Sequence, residues 1–487
     1  MMEQILILIL PVIASLISVN WIFLKILSIA KRKSLVDCPN ARKFQRTPVP
    51  MLGGLAVLFG LLFGVATYFA LCKYLEVPIV TLGTSLLPAM ICCSIMLYVG
   101  ALDDVLGLSV KSRLIIEILT ILLLIFGSGL CVDSFHGLWG IDDFSWWIAV
   151  PLTVFAGVGI INAYNMVDGV NGLSSGLCIC CSVILGIICY KRQDLADSAL
   201  AFCFAASLAP FWLHNVFGKR SRMFIGDGGT MVMGLLVSWF VIRTLSSNNA
   251  ASLTQLAGEK CQLGLVAMML AVVSVPVFDT LRVMTGRMVR KQSPFKPDRT
   301  HLHHVFVAIG VSHLVTALCE IMLNVLVCAI WYVTYKIGGS VDMQLYVVVL
   351  SSLLLIWGMY FFLNRIAYKY PNSPLYKLAR ATHLGHTNWW ISFQHWLDKG
   401  AYEDYSVLID KKPEDMDPKE KDTMAIVNFL QGKKLVKVEE ILSEAGAERL
   451  RVYLILFELE QSAWITVMER APLGEPLVVK INPNALV

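Results

Sequence analysis

Apolar runs long enough to cross a bilayer recur along the first three quarters of the 487-residue chain. A membrane-spanning helix needs about 20 mainly apolar residues. Eleven candidates lie near 3–29, 51–72, 84–102, 112–131, 145–161, 173–190, 196–213, 229–246, 262–278, 312–335 and 343–366. Backbone polar groups cannot stay unpaired in hydrocarbon, so these runs must be helices. The expected fold class is therefore all-α: a polytopic membrane protein with about 11 transmembrane helices, followed by a small α+β module. Only 15% of residues are charged, against about 25% in soluble domains, and mean hydropathy is +0.68. A disordered chain and a fully soluble enzyme are both excluded. The first run opens with Glu3 and lacks a small-residue cleavage site, so it reads as a retained helix. The 13 cysteines lie mostly in apolar runs and read as small apolar fillers.

Loop charge sets the expected sidedness. Residues 31–50 carry Lys31, Arg32, Lys33, Arg42, Lys43 and Arg46 against Asp37, and residues 279–311 carry Arg282, Arg287, Arg290, Lys291, Lys296 and Arg299. Counting positive charges places these loops, with 103–111, 162–172, 214–228 and everything after 367, in the cytoplasm, and the N-terminus outside.

Five chemically dense segments fall on that one side. The first runs from Asp37 to Gly54, with bases beside prolines and Gly53-Gly54 opening a span. The second holds Asp103-Asp104 at the end of an apolar run. Neighbouring carboxylates there are costly unless paired or metal-bound, and they suit a hard cation such as Mg²⁺. The third places Asn162, Asn165 and Asp168 at i, i+3 and i+6, one helix face, before turns at Gly169 and Gly172. The fourth contains His214-Asn215 and then Phe224-Ile-Gly226-Asp227-Gly228-Gly229. Asp227 can reach a metal or cap a helix, and Phe224 offers a stacking face. The fifth contains Asp279, Arg282 and the run Pro297-Asp298-Arg299-Thr300-His301-Leu302-His303-His304, which favours phosphate over zinc because its neighbours are cationic and no cysteine joins it.

Together these residues ask for a reaction between a soluble, phosphate-rich donor and a phosphate-bearing lipid. A transporter is disfavoured, because its polar groups would sit near the midplane in paired repeats. Asp103, Asp104 and Asp227 read as the catalytic carboxylates, with His301 and His303. The metal ligands read as Asp104, Asp227 and Asn165, with Mn²⁺ as a substitute for Mg²⁺. Substrate binding falls to Asn162, Asn165, Asp168, Asn215, Phe224, Arg299, His304 and Lys43.

The order of these motifs resembles that of the polyprenyl-phosphate N-acetylhexosamine-1-phosphate transferases. The motifs are the Asp37-to-Gly54 loop, Asp103-Asp104 with Gly107-Leu108, Asn162-x-x-Asn165-x-x-Asp168-Gly169-x-x-Gly172-Leu173, Phe224-x-Gly226-Asp227, and Pro297-Asp298-Arg299-x-His301-x-His303-His304. The resemblance covers about residues 1–366. It implies transfer from a UDP-N-acetylhexosamine to polyprenyl phosphate, with release of UMP and use of Mg²⁺, in a bacterial inner membrane. The histidine motif looks more like the branch taking UDP-GlcNAc than the branch taking UDP-MurNAc-pentapeptide. It implies a base role for one aspartate of the pair; Asp104 is assigned to metal and Asp103 to the lipid phosphate. Gln45, Met51, Arg113 and Glu117 depart from His, Arg, Lys and Gln in relatives. A homodimer stays open.

Residues 1–366 form the expected transmembrane domain, 367–422 an interfacial segment and charged linker, and 423–487 a winged-helix-like cytoplasmic module. The module has helices near 423–431, 436–444 and 447–461, with Leu450, Tyr453, Leu454 and Phe457 as the buried face of the third. A hairpin turns at Pro472–Gly474 between strands near 464–468 and 477–481. Its third helix lacks a basic stripe, which argues against nucleic acid and for a protein partner. His383, His386, Trp389, Trp390 and Trp396 suit a membrane interface.

Overall fold

The computed structural model describes residues 2–33, 35–37, 48–77, 82–247, 263–295, 298–370, 373–385, 387–401, 414, 416–431, 433, 435–446, 448–461, 464–471 and 475–482. The chain forms two compact units. The first comprises Met1–Phe23, Gly53–Val216 and Ile225–Trp390; the second comprises Leu24–Leu52, Phe217–Phe224 and Ile391–Val487.

The protein is a polytopic helical membrane protein. Its first helices are α1 (Met2–Arg32), α2 (Gly53–Tyr74), α3 (Leu82–Leu106), α4 (Val110–Ser128), α5 (Trp146–Val167), α6 (Leu173–Lys191), α7 (Leu195–Phe217) and α8 (Gly226–Leu245). Next come α9 (Leu265–Val272), α10 (Ser274–Val289), the short α11 (Leu302–Ala308) and α12 (His313–Lys336). Among the described residues nine helices are long and apolar enough to cross a membrane, the last being Val341–Ala367. The expected straight span at 262–278 is instead the pair α9 and α10, bent by 78°. The bend has a local cause. Pro276 has no N–H to give the Val272 carbonyl one turn back. Buried Asn324 of α12 takes over: its Nδ2 donates to Val272 O at 3.0 Å, and its Oδ1 accepts from Val275 N at 3.1 Å. Counting the pair as one span gives ten. The expected span at 112–131 is α4, a helix of 19 residues that carries Lys111, Arg113 and Glu117.

α8 is the axis of the first unit, buried from Gly228 to Leu245 and apolar over most of that length. α2, α3 and α5 pack on it. The approach is backbone on backbone. A Cβ on Gly54 would lie 2.5 Å from Gly229 Cα, one on Gly100 2.2 Å from Gly228 Cα, and one on Gly234 2.6 Å from Ile161 Cα. Gly54 N also donates to Ile225 O at 2.8 Å. Large apolar side chains at the periphery, such as Phe126, Trp147 and Phe155, are exposed, as lipid-facing positions should be. The described cysteines are all free.

In the second unit, Val36–Asp37 pairs antiparallel with Val49–Pro50 and closes a loop whose residues 38–47, Lys43 included, lie outside the described residues. The C-terminal module is helix Pro418–Leu430, strand Val436–Lys437, helices Val438–Ala445 and Arg449–Gln461, and strands Ile465–Arg470 and Pro476–Ile481. The last strand lies between the other two, which is winged-helix connectivity. Three details differ from the sequence reading. The first helix begins inside the expected linker, because Asp417 and Glu420 form a capping box and Pro418 opens the helix. The expected second helix starts later, since Val436–Lys437 is a strand. The third helix buries Val452, Ile455, Leu456 and Leu459 most fully; of the expected face Leu454 is buried and Tyr453 packs partly buried on the core, while Leu450 and Phe457 are half-exposed and lie outside it. This helix is apolar on two adjacent stripes, so spacing alone could not choose between them. The expected turn at 472–474 and His386 lie outside the described residues.

The glycine contacts make a direct prediction. Gly100→Ala should lower stability by about 1–3 kcal/mol, the usual cost of overpacking. Gly159→Ala, where an added Cβ meets nothing within 4 Å, should leave it unchanged or slightly raised. Thermal unfolding of both variants in detergent checks this, and equal melting temperatures would refute it.

Candidate active site

The end of α3 and the start of α8 meet at the glycine contact, and this brings Asp103, Asp104 and Asp227 together. The two aspartates of α3 diverge, as adjacent helical residues must. Both oxygens of Asp104 accept from the backbone N–H of Asp227, at 3.2 and 3.0 Å, so Asp104 satisfies an unpaired donor at the α8 N-terminus. Asp103 Oδ1 accepts from Leu108 N at 2.7 Å, and its Oδ2 accepts from Arg113 Nη1 at 3.2 Å. Gly226 holds a φ of +74° just before Asp227, a conformation that favours glycine.

Asn165 and Arg113 complete the cluster. Asn165 Nδ2 donates to Asp227 Oδ1 at 3.0 Å and to Thr230 Oγ1 at 2.8 Å. Its Oδ1 accepts from Arg113 Nη2 at 3.3 Å. Arg113 Nη1 lies 3.6 Å from Asp227 Oδ2, and its Nε lies 3.5 Å from Glu117 Oε1. Glu117 is buried and accepts from the Asn162 side chain. Arg113 and Glu117, both departures from the expected motif, are thus partners of each other. Sequence reading did not place them in the site. The available signal was an acid within an apolar run, four residues after an arginine.

Other expected residues make local contacts of their own. Asp168 ends α5 and accepts from Ser174 Oγ at 2.6 Å. Asn215 is buried and accepts from Gly172 N at 2.7 Å, fixing a turn in which Gly172 has φ +78°. The ring of His214 stacks on Phe23 at 4.4 Å. Phe224 belongs to the second unit, where its N–H donates to Pro50 O at 2.7 Å.

The histidines form a second cluster. His301 Nδ1 is 2.7 Å from Asp279 Oδ2, leaving Nε2 as the nitrogen able to face a ligand. Buried Asp279 also accepts from Arg282 at 2.7 Å and from Leu302 N at 3.2 Å. Asp279 and Arg282 belong to the fifth segment in the sequence reading, which gave neither a role of its own. The ring of His303 packs on Gly169, where a Cβ would lie 2.3 Å from Nε2, so the third and fifth segments touch. Asp298 accepts from Arg287 at 2.9 and 3.2 Å and from Thr300; these bonds outweigh burial and hold its carboxyl at about 2. Burial and the neighbouring His301 lower His304 to about 4, and burial lowers His303 well below the usual histidine value. Both rings are thereby pushed toward the neutral form.

The carboxylates of Asp103 and Asp227 and the amide oxygen of Asn165 surround one guanidinium. These are hard oxygen donors gathered about a positive charge, the donor type that Mg²⁺ takes. Among the described residues no three His, Cys, Asp or Glu side chains are already arranged to hold a metal ion.

A depressed histidine pKa has a definite sign. Between about 4 and the ordinary value near 6.5 the unfolded chain binds the proton that folded His304 refuses. That contribution is intact above the upper limit and is lost as pH falls through the window. The melting temperature should drop more steeply from pH 6.5 to 4 in the native protein than in His304→Gln; parallel curves would refute this.

Residues 86–245, which carry Asp103, Asp104, Asn162, Asn165, Asp168 and Asp227, match the family model described as glycosyl transferase family 4. The undecaprenyl-phosphate alpha-N-acetylglucosaminyl 1-phosphate transferase of Escherichia coli (strain K12) is 30% identical over 292 residues, covering 58% of this chain and 71% of that one. The protein of that name from Yersinia pestis is 28% identical over 289 residues, covering 58% and 72%. With the clustered carboxylates inside the matched region and that breadth of similarity, the chain belongs to glycosyl transferase family 4.

Proposed function

We propose that this protein transfers N-acetylglucosamine 1-phosphate from UDP-GlcNAc to undecaprenyl phosphate, releasing UMP, in a Mg²⁺-dependent reaction that starts a cell-envelope glycan. The relatives' names support a polyprenyl-phosphate N-acetylhexosamine-1-phosphate transferase reaction. The observation that carries the reading is the convergence of Asp103, Asp104 and Asp227 with Asn165 and Arg113 at one end of α8.

The chemistry is one displacement. A phosphate oxygen of the lipid attacks the β-phosphorus of the donor, and the bond from that phosphorus to the bridging oxygen breaks, leaving UMP. A phosphate monoester has its second pKa near 6, so the attacking group is largely dianionic at neutral pH. What the protein must supply is position and charge neutralisation. Mg²⁺, held by Asp103, Asp104, Asp227 and Asn165, would neutralise the diphosphate and polarise the phosphorus under attack. Arg113 stands among the same carboxylates and offers a planar, permanently charged fork to phosphate oxygens. Arg299 and the Nε2 of His301 are placed on the segment that closes against Gly169, suited to a second phosphate. Phe224 offers an aromatic face to the uracil. The loops holding these residues are assigned to the cytoplasmic side, and the C-terminal module to a protein partner.

Asp227→Asn should reduce transfer at least about 100-fold, the scale of losing one charge-stabilising group, and change the Mg²⁺ dependence. The assay uses membranes, radiolabelled UDP-sugars and undecaprenyl phosphate. Retained activity with an unchanged Mg²⁺ profile would remove Asp227 from the site, and label reaching lipid from another UDP-sugar but not UDP-GlcNAc would change the donor. For sidedness, single cysteines placed in 31–50 or 279–311 of a chain without reactive cysteines should resist an impermeant thiol reagent on intact cells and react after lysis. Labelling of intact cells would reverse the orientation.

A further inference from the structure

Asp398 is the last residue of helix Asn388–Asp398, beyond the final span, and only 3% exposed. An acid is disfavoured at a helix C-terminus, where the carbonyls already concentrate negative charge. A buried carboxylate also needs donors. Asp398 finds them in the loop between α7 and α8. The backbone N–H of Lys219 donates at 3.2 and 3.3 Å, that of Arg220 at 3.1 Å and that of Ser221 at 2.9 Å, and Ser221 Oγ donates at 2.7 Å. Successive N–H groups converging on one anion form a preorganised nest. The same helix grips the loop one turn earlier: Gln394 Nε2 donates to Phe217 O at 2.9 Å, and the Phe393 ring meets that of Phe217 at 5.1 Å. The loop's far end is held by Phe224 N donating to Pro50 O. Contacts place Phe217–Phe224 in one compact unit with Ile391–Val487. Between Gly53 and Trp390 the chain enters this unit only for those eight residues, and it leaves immediately before Ile225, two residues ahead of Asp227.

We infer that Asp398 is a positioning residue for the loop Phe217–Phe224, through which the C-terminal segment sets the donor-binding face carried by Phe224. This rests on the transferase reading. The carboxylate touches no substrate; it fixes the backbone that presents the aromatic ring, so its loss should weaken donor binding more than turnover.

The test uses the full-length chain with Asp398→Ala, Asp398→Asn and, as a control on the exposed end of the same segment, Lys399→Ala. In Asp398→Ala the KM for UDP-GlcNAc should rise about tenfold, the scale of losing hydrogen bonds to a charged acceptor, while kcat stays within about threefold. Tryptic cleavage after Lys219, Arg220 or Arg222 should speed up by a similar factor. Asp398→Asn keeps the shape and one acceptor oxygen, so it should fall between, and it supplies both readouts if the alanine variant does not fold. Lys399→Ala should match the native protein. An unchanged KM in an active protein, an unchanged cleavage rate, or equal losses in kcat alone would overturn the inference. A native chain inactive with every UDP-sugar would overturn the transferase reading and this inference with it, whereas faster loop cleavage would still register the Asp398 contact.

Discussion

The contact on which the rest of the site depends is the one between glycine backbones at the N-terminus of α8. Gly54 meets Gly229, and Gly100 meets Gly228, at distances that exclude any side chain. Two helices can therefore reach the first turn of a third that is buried from Gly228 onward. A helix start carries unpaired N–H groups. Here one of them is satisfied by Asp104, whose helix the glycines have brought within reach. Packing and electrostatics are thus solved by the same few residues.

From that anchor a polar chain runs through Asp227, Asn165 and Arg113 to Glu117 and Asn162. Each member orients the next. A buried network of this kind stays costly unless all its members are paired, and this explains why Arg113 and Glu117 occur together. The histidine segment is built on a different logic. Asp279 fixes His301 from below, His303 rests on the bare backbone of Gly169, and two of the three rings are pushed toward the neutral form by burial. The segment rich in charge at the level of sequence is, in the folded protein, partly a packing element, with Arg282 and Arg287 buried in ion pairs to Asp279 and Asp298.

Within the second unit, the region after the last span is tied to the loop Phe217–Phe224 through that loop's backbone. Asp398 sits where a helix should not end in an acid, and the loop before α8 supplies the compensation. A carboxylate buried against three N–H groups is a rigid joint, and it fixes the loop from the C-terminal segment.

Much of this protein was legible from residues alone. Apolar run lengths determined the helical membrane fold, because the bilayer leaves the backbone no alternative. Carboxylates and amides at the ends of those runs marked Asp103, Asp104, Asn162, Asn165 and Asp227 as a group, since such residues are costly there without partners. Tertiary structure decided the rest. The 78° bend between α9 and α10 depends on Asn324, fifty residues away, taking up freed backbone groups. The core face of helix Arg449–Gln461 depends on which of two apolar stripes its neighbours cover. Asn215 and Asp168 look like ligands in sequence; only the fold shows that they also hold Gly172 and Ser174. Asp398 gave no signal at all, because an aspartate's role is set by the donors that face it, and those lie some 180 residues earlier in the chain. Sequence names the chemistry available; only packing decides which groups meet and which are already spoken for.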